Sequence, residues 1–370
     1  MYSNFAIMLW LLLVPSIIAV PTMDALFKLK KNEAGSDTDS LGGCAKYLDK
    51  ILPRWLAETS DMVDAGLQVF TDAGSSTESP TRTVARNFLQ TYFYMKITET
   101  AKVKVVKDSI KVVRKFLDGQ VPDSGTPHFY CGDTWLNKVS RSDLAWDSNG
   151  DDLMELDADG VTLHPATFEE VPDYQKFLFW TNPNTNMQET TGLVPYWSPD
   201  LTSFLFDSDY DGQTYCAPGN GGLGATQQTT QPNTMTFCPL AFEYDLNTEV
   251  LGENKPSSRM SITKVIPRSA TLYHELIHLI VGTDKTQDYT YEWSKMQTAL
   301  KKPNGTPSKK EEEKTGKYWD GMKYQDIMRQ NPETFVFFSV GYWYFLQTTW
   351  NKNTQKRWSF DTGAARLVAV

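Results

Sequence analysis

A chain of 370 residues, 40% hydrophobic and 22% charged, carries enough apolar side chain to bury a core, which excludes a disordered polypeptide. Its formal net charge of −9 excludes nucleic acid as an expected partner, because a surface of that sign repels phosphate backbones. The aromatic share of 13% points to a stiff core with loops packed over it.

The first element is apolar. Phe5 to Ala19 (FAIMLWLLLVPSIIA) is short for a bilayer span and matches the apolar region of a signal peptide, with the small residue Ala19 at its end. Residues 1–19 are therefore expected to be removed, leaving a secreted chain that starts around Val20 and does not associate with a membrane. Residues 20–43 are mostly polar, with Gly and Ser clusters, and read as a flexible lead or a short propeptide.

From Cys44 to about residue 70, Tyr47, Leu48, Ile51, Leu52, Trp55, Leu56, Met62, Val63 and Leu67 recur at helical spacing. Pro53 is expected to kink or split that helix. Residues 71–81 read as a loop, and Arg82 to Leu117 as a second long amphipathic helical region. From 119 to 233 the periodicity fades into aromatic-rich loops. Two acidic stretches lie there, Asp147–Asp152 and Asp207–Gly212. The second begins like a calcium loop, but its twelfth position is Pro218, not Glu, so a solvated turn is the favoured reading. His128 and His164 are placed in loops with surface or structural roles.

Thr234–Cys238 alternates polar and apolar and predicts a short strand. Residues 301–317 form an exposed loop holding the sequon Asn304-Gly305-Thr306. Phe335 to Leu346 is strongly apolar and predicts a buried core helix, followed by a C-terminal tail over 349–370. The cysteines are Cys44, Cys131, Cys216 and Cys238, an even count that suits an oxidising compartment. Spacing leaves three pairings open. A local Cys216–Cys238 bridge is attractive, and it would leave Cys44 to Cys131.

The chemistry sits between Ser269, a candidate cap, and Gly282, a helix stop. His274 and His278 are four residues apart, so on a helix they project from one face and suit two imidazoles on one Zn²⁺. Glu275 follows the first His and can reach a water beside such a metal without ligating it. The bland alternative is a buried helix whose histidines are merely hydrogen-bonded. A third ligand from HxxGxxH is missing, which removes the metzincin pattern. Glu292 is the nearest downstream Glu, and Asp284 and Asp288 are the nearby aspartates.

The segment from Gly282-Thr283 through Asp288 to Tyr291 resembles the aspzincins, the deuterolysins and peptidyl-Lys metallo-endopeptidases. Their pattern is HExxH, a short gap, Gly-Thr, an Asp ligand and a Tyr three residues later. The gap from Thr283 to Asp288 is longer than that pattern, and Glu292 stands where the family has Gly, so Asp284 stays a rival ligand. Weaker similarity extends from Cys44 to about residue 346, and 139–215 looks like an insertion.

The resemblance implies an α+β, mainly helical zincin-like domain over 44–348, with an active-site helix, a small β-sheet and long loops. It implies Zn²⁺ held by His274, His278 and Asp288, Glu275 as general base, and Tyr291 as oxyanion donor. It implies the disulfides Cys44–Cys131 and Cys216–Cys238. The expected activity is hydrolysis of internal bonds in protein or peptide substrates by a monomer, with a lysine preference in some members. The rival expectation is a secreted binding protein on a catalytically degenerate zincin scaffold.

Overall fold

The long helix Ile51–Ala73 forms because Leu52, Trp55, Leu56, Met62, Val63, Val69 and Phe70 fall on one buried stripe. The computed structural model describes residues 21–31, 41–157, 159–182, 185–309, 311, 319, 321–348, 350 and 355–370. The signal-peptide reading of 1–19, the proposed start at Val20, the 32–40 part of the lead and most of 310–318 lie outside the described residues. Within them the chain is mixed α and β, the coarse class expected.

Several boundaries differ from expectation, each for a local reason. A short helix, Ala45–Leu48, precedes the long one, and the break falls at Asp49 and Lys50 rather than at Pro53. Pro53 sits in the first turn of the long helix, where its missing N–H costs no intrahelical bond. The second helical region is two helices, Pro80–Phe93 and Thr100–Leu117. Ser79 caps the first by accepting from Arg82 N at 3.1 Å, and Tyr94, left-handed at φ 48°, ends it.

The helix Pro332–Leu346 is the centre of the core, with Phe335, Val336, Phe338, Val340 and Phe345 all fully buried. It crosses Ile51–Ala73 closely at Gly66, where an added Cβ would lie 2.5 Å from Ser339 Oγ. A larger residue there would force the two helices apart.

A four-stranded sheet runs in the order Lys28–Leu29, His128–Tyr130, Thr234–Phe237, Gly224–Gln227. The first three strands are parallel and the last is antiparallel, with Gly224 opposite Phe237 and Gln227 opposite Thr234. The Thr234–Phe237 strand matches the alternation. The first strand comes from the presumed flexible lead, so that expectation does not hold for residues 21–31. Met23, Leu26 and Phe27 are buried, and Phe27 packs edge-on against Phe116 and Phe129. Three apolar side chains in a polar segment are enough to anchor it.

The 139–215 region is not simply loop. Asn137–Lys138, Leu193–Ser198 and Ser203–Ser208 form an antiparallel sheet. One cluster around Trp135, Tyr196 and Leu205 joins this sheet to the main one, and a second around Ala145, Phe168 and Phe204 covers its other side. Burial on both faces is why no simple alternation marks these strands. His128 and His164 lie in strands rather than loops. His128 is buried, 3.2 Å from the Tyr130 hydroxyl, which donates to Asp200 at 2.7 Å, so its role is structural.

The expected C-terminal tail is also ordered. Lys356–Ser359 pairs antiparallel with Arg366–Ala369, and Phe360 between them is fully buried. Disulfides join Cys44 to Cys131 and Cys216 to Cys238. These bonds are compatible with a secreted protein. Among the described residues, no helix is long and apolar enough to cross a membrane.

Candidate metal centre

The helix Ala270–Val281 reads TLYHELIHLIV after its first residue and is buried on nearly every side, as a helix apolar all round must be. Ser269 precedes it but makes no side-chain cap, contrary to expectation. Gly282 ends it. Its φ of 108° suits a glycine, and its N–H donates to His278 O at 3.0 Å. Gln228, just beyond the edge strand Gly224–Gln227, donates from Nε2 to His278 O and Leu279 O at 3.0 and 3.1 Å. It accepts from Thr283 N at 2.8 Å. Two of the carbonyls at the helix end, His278 O and Leu279 O, are thus satisfied, and the following loop turns back over the histidine face.

That turn brings Asp288 to both imidazoles. Asp288 Oδ1 lies 3.1 Å from His274 Nε2 and 3.2 Å from His278 Nε2. The ligand atoms of the three side chains all fall within 4.8 Å of one another, and this group could hold a metal ion. It is the sole such group of His, Cys, Asp and Glu among the described residues. Asp284 is exposed and lies outside the group. Glu292 also lies outside it, exposed and paired with Lys295 at 2.5 Å.

The other nitrogen of each ring is held as well. His278 Nδ1 is 2.9 Å from Thr286 Oγ1, and that hydroxyl donates to Gly282 O at 2.7 Å. With its one proton committed, Thr286 must accept from Nδ1–H, which leaves Nε2 with a lone pair. His274 Nδ1 is 3.2 Å from Glu333 Oε2, which can only accept when ionised. In the neutral form of each ring both Nε2 lone pairs face the same carboxylate oxygen, so the space between them takes either a proton or a metal cation. His274 Nε2 is buried and makes no hydrogen bond of acceptable geometry.

The electrostatics show the same demand. Burial alone would lower the His274 pKa, but Asp288 and Glu333 outweigh it and raise it well above the ordinary imidazole value. Burial likewise opposes ionisation of Asp288, and the two histidines overcome it, holding the carboxyl far below its usual range.

Glu275 is buried, and Thr226 Oγ1 lies 2.8 Å from its Oε2. The Tyr291 ring stacks on His274 at 5.3 Å, and its hydroxyl donates to Asp288 Oδ2 at 2.8 Å. The residue as a whole is 61% exposed, yet burial of its hydroxyl and the charges of Asp288 and Glu275 push its pKa up.

A cavity of about 850 Å³ opens on the His274 side, lined by Leu223, Ile266, Trp293, Glu333 and Phe337 among others. A second of about 600 Å³ opens on the His278 side, lined by Asp207, Tyr210, Thr283 and Asp288 among others. Gly224, Glu275 and Tyr291 line both, so Glu275 stands between two adjoining cavities. Asp207 of the calcium-like stretch accepts from Ser208 N, Tyr210 Oη and Gln227 Nε2, and Asp209 pairs with Lys138. Asp207 is half-buried and bonded to protein groups, whereas Asp209 and Asp211 are exposed.

Thr226, Thr286 and Glu333 were not foreseen as parts of the site. No local pattern marks Thr226 or Glu333, which contact the helix from 49 and 59 residues away. No family model matches the chain, and no curated protein or solved structure matches it either. Fold and site together define a mixed α and β protein with a buried His-His-Asp group suited to a metal ion.

Proposed function

We propose that the protein is a secreted zinc-dependent endopeptidase of the aspzincin kind, cutting internal bonds of protein or peptide substrates. The observation that carries this reading is the convergence of His274 Nε2, His278 Nε2 and Asp288 Oδ1 beside the buried carboxylate of Glu275. Two imidazoles and one carboxylate favour Zn²⁺ over Ca²⁺ or Mg²⁺, which prefer all-oxygen sets, and three protein ligands leave one position open. Zn²⁺ bound there would polarise the scissile carbonyl and acidify a nearby water.

Glu275 takes a proton from the water that attacks the carbonyl carbon. The C–N bond then breaks, and Glu275 returns that proton to the leaving amine. Tyr291 turns its hydroxyl from Asp288 Oδ2 to the oxygen on which negative charge develops. A cleft open on both sides of Glu275 accommodates chain on both sides of the cut bond, which suits an endopeptidase. Asp207, Glu275, Asp288, Glu292 and Glu333 line it, with no Lys or Arg among the described lining residues, which favours basic residues such as lysine near the bond.

The rival is a zincin-like binding protein without turnover, and the engagement of Tyr291 with Asp288 is the observation that favours it. Metal analysis together with casein cleavage separates the two. One zinc per chain, chelator-sensitive cleavage and loss of activity in Glu275→Ala support the peptidase. Full zinc occupancy with no cleavage of any protein sinks it.

A further inference from the structure

The edge strand Gly224–Gln227 touches the general-base candidate at two places. Thr226 Oγ1 lies 2.8 Å from Glu275 Oε2 and 3.2 Å from Glu275 O, so its single proton goes to the nearer, charged acceptor. At Gly224, an added Cβ would lie 3.1 Å from Glu275 Cγ and 3.2 Å from Oε1. It would also lie 3.1 Å from the Phe237 ring, which is fully buried and cannot retreat. The Glu275 side chain would have to yield. One oxygen is thus tethered, and the other faces a space kept clear by the absence of a side chain, at the junction of the two cavities.

We infer that Thr226 is a positioning residue for Glu275: its hydroxyl holds Oε2, and Gly224 leaves Oε1 as the oxygen that receives the proton of the attacking water. This rests on the peptidase reading above. The strand therefore does more than border the cleft. It determines which carboxylate oxygen is available and in which direction it points. The two positions are two residues apart, so on a strand both project toward the same face, here the histidine helix.

The experiment uses the full-length zinc-loaded protein, with Thr226→Val, Thr226→Ser and Gly224→Ala. Zinc affinity is measured by competition with a chromogenic chelator. Binding of acetohydroxamate, whose hydroxyl donates to the general base, is measured by calorimetry. Casein-peptide hydrolysis gives kcat and KM.

Thr226→Val is expected to lower kcat by about ten- to a hundredfold, the usual worth of a hydrogen bond to a charged group, with little change in KM. Acetohydroxamate binding should weaken by about tenfold or more, with zinc affinity unchanged within about twofold. Thr226→Ser should recover most of the loss, and Gly224→Ala should repeat the Val pattern. Thr226→Val with wild-type kcat and hydroxamate affinity overturns the assignment. So does a Thr226→Ser as impaired as Val, which would show a packing role for the methyl group. Wild-type protein that binds zinc but cleaves nothing defeats the peptidase reading, while the hydroxamate comparison still decides the orientation of Glu275. Wild-type protein that binds no zinc overturns both.

Discussion

Thr286 accepts the Nδ1 proton of His278 at 2.9 Å while donating its own to Gly282 O at 2.7 Å. The loop that delivers Asp288 therefore also selects the tautomer of the histidine beside it. Thr286→Val removes the acceptor and leaves a buried N–H without a partner. Zinc affinity should fall by about ten- to a hundredfold, the range for loss of such supporting contacts, and Thr286→Ser should keep it near wild type. Chelator competition reads both.

Glu275→Gln keeps the shape of the side chain and its contact with Thr226 but removes the proposed base. Hydrolysis should fall by about a hundred- to ten-thousandfold, the usual contribution of a positioned base. Metal content should stay at the wild-type level, because Glu275 lies outside the His-His-Asp group. Equal loss of zinc and activity would contradict this division of roles.

Phe27 belongs to the core even though it lies in a polar lead. Phe27→Ala removes a ring in contact with Phe116 and Phe129, and should cost about 3–5 kcal/mol of folding stability by denaturant titration. The strand beside it lies at the sheet edge opposite Gly224–Gln227. Zinc affinity of the folded fraction should therefore be unchanged.

Asp361 ties the C-terminal hairpin to the helical core. It accepts from Asn87 at 2.9 Å and from Arg366 Nε at 2.7 Å, and Tyr92 Oη donates to the neighbouring Phe360 O at 2.9 Å. Burial alone would raise its pKa, but Arg366 and Asn87 outweigh burial and hold it below the usual carboxylate value. The folded value is depressed, so this stabilisation is present above the unfolded pKa, near 3.9, and is lost as pH falls through the folded value. Asp361→Asn should cost about 2 kcal/mol at neutral pH and markedly less once the pH has fallen through the depressed folded value. Thermal unfolding across that range reads the difference.

Much of the helical core was legible in the sequence, because Ile51–Ala73 and Pro332–Leu346 bury stripes or whole surfaces that leave a clear apolar signature. The lead strand, the sheet within 139–215 and the C-terminal hairpin were not. Their strands are short, and what anchors them is a few aromatic contacts far away in the chain.

The site divides the same way. Helical geometry alone places His274 and His278 on one face with Glu275 beside them, since residues four apart on a helix must be neighbours. Which carboxylate would meet them was less sharply marked: the spacing to Tyr291 favours Asp288, while the long gap after Thr283 leaves Asp284 a rival. Asp284, Asp288 and Glu292 all follow within reach, and only the turn at Gly282, closed by Gln228 just beyond the edge strand, puts Asp288 against both rings. Glu333 and Thr226 complete the surroundings from distant segments. Their positions follow from packing of the core helix and the edge strand, which no local pattern encodes.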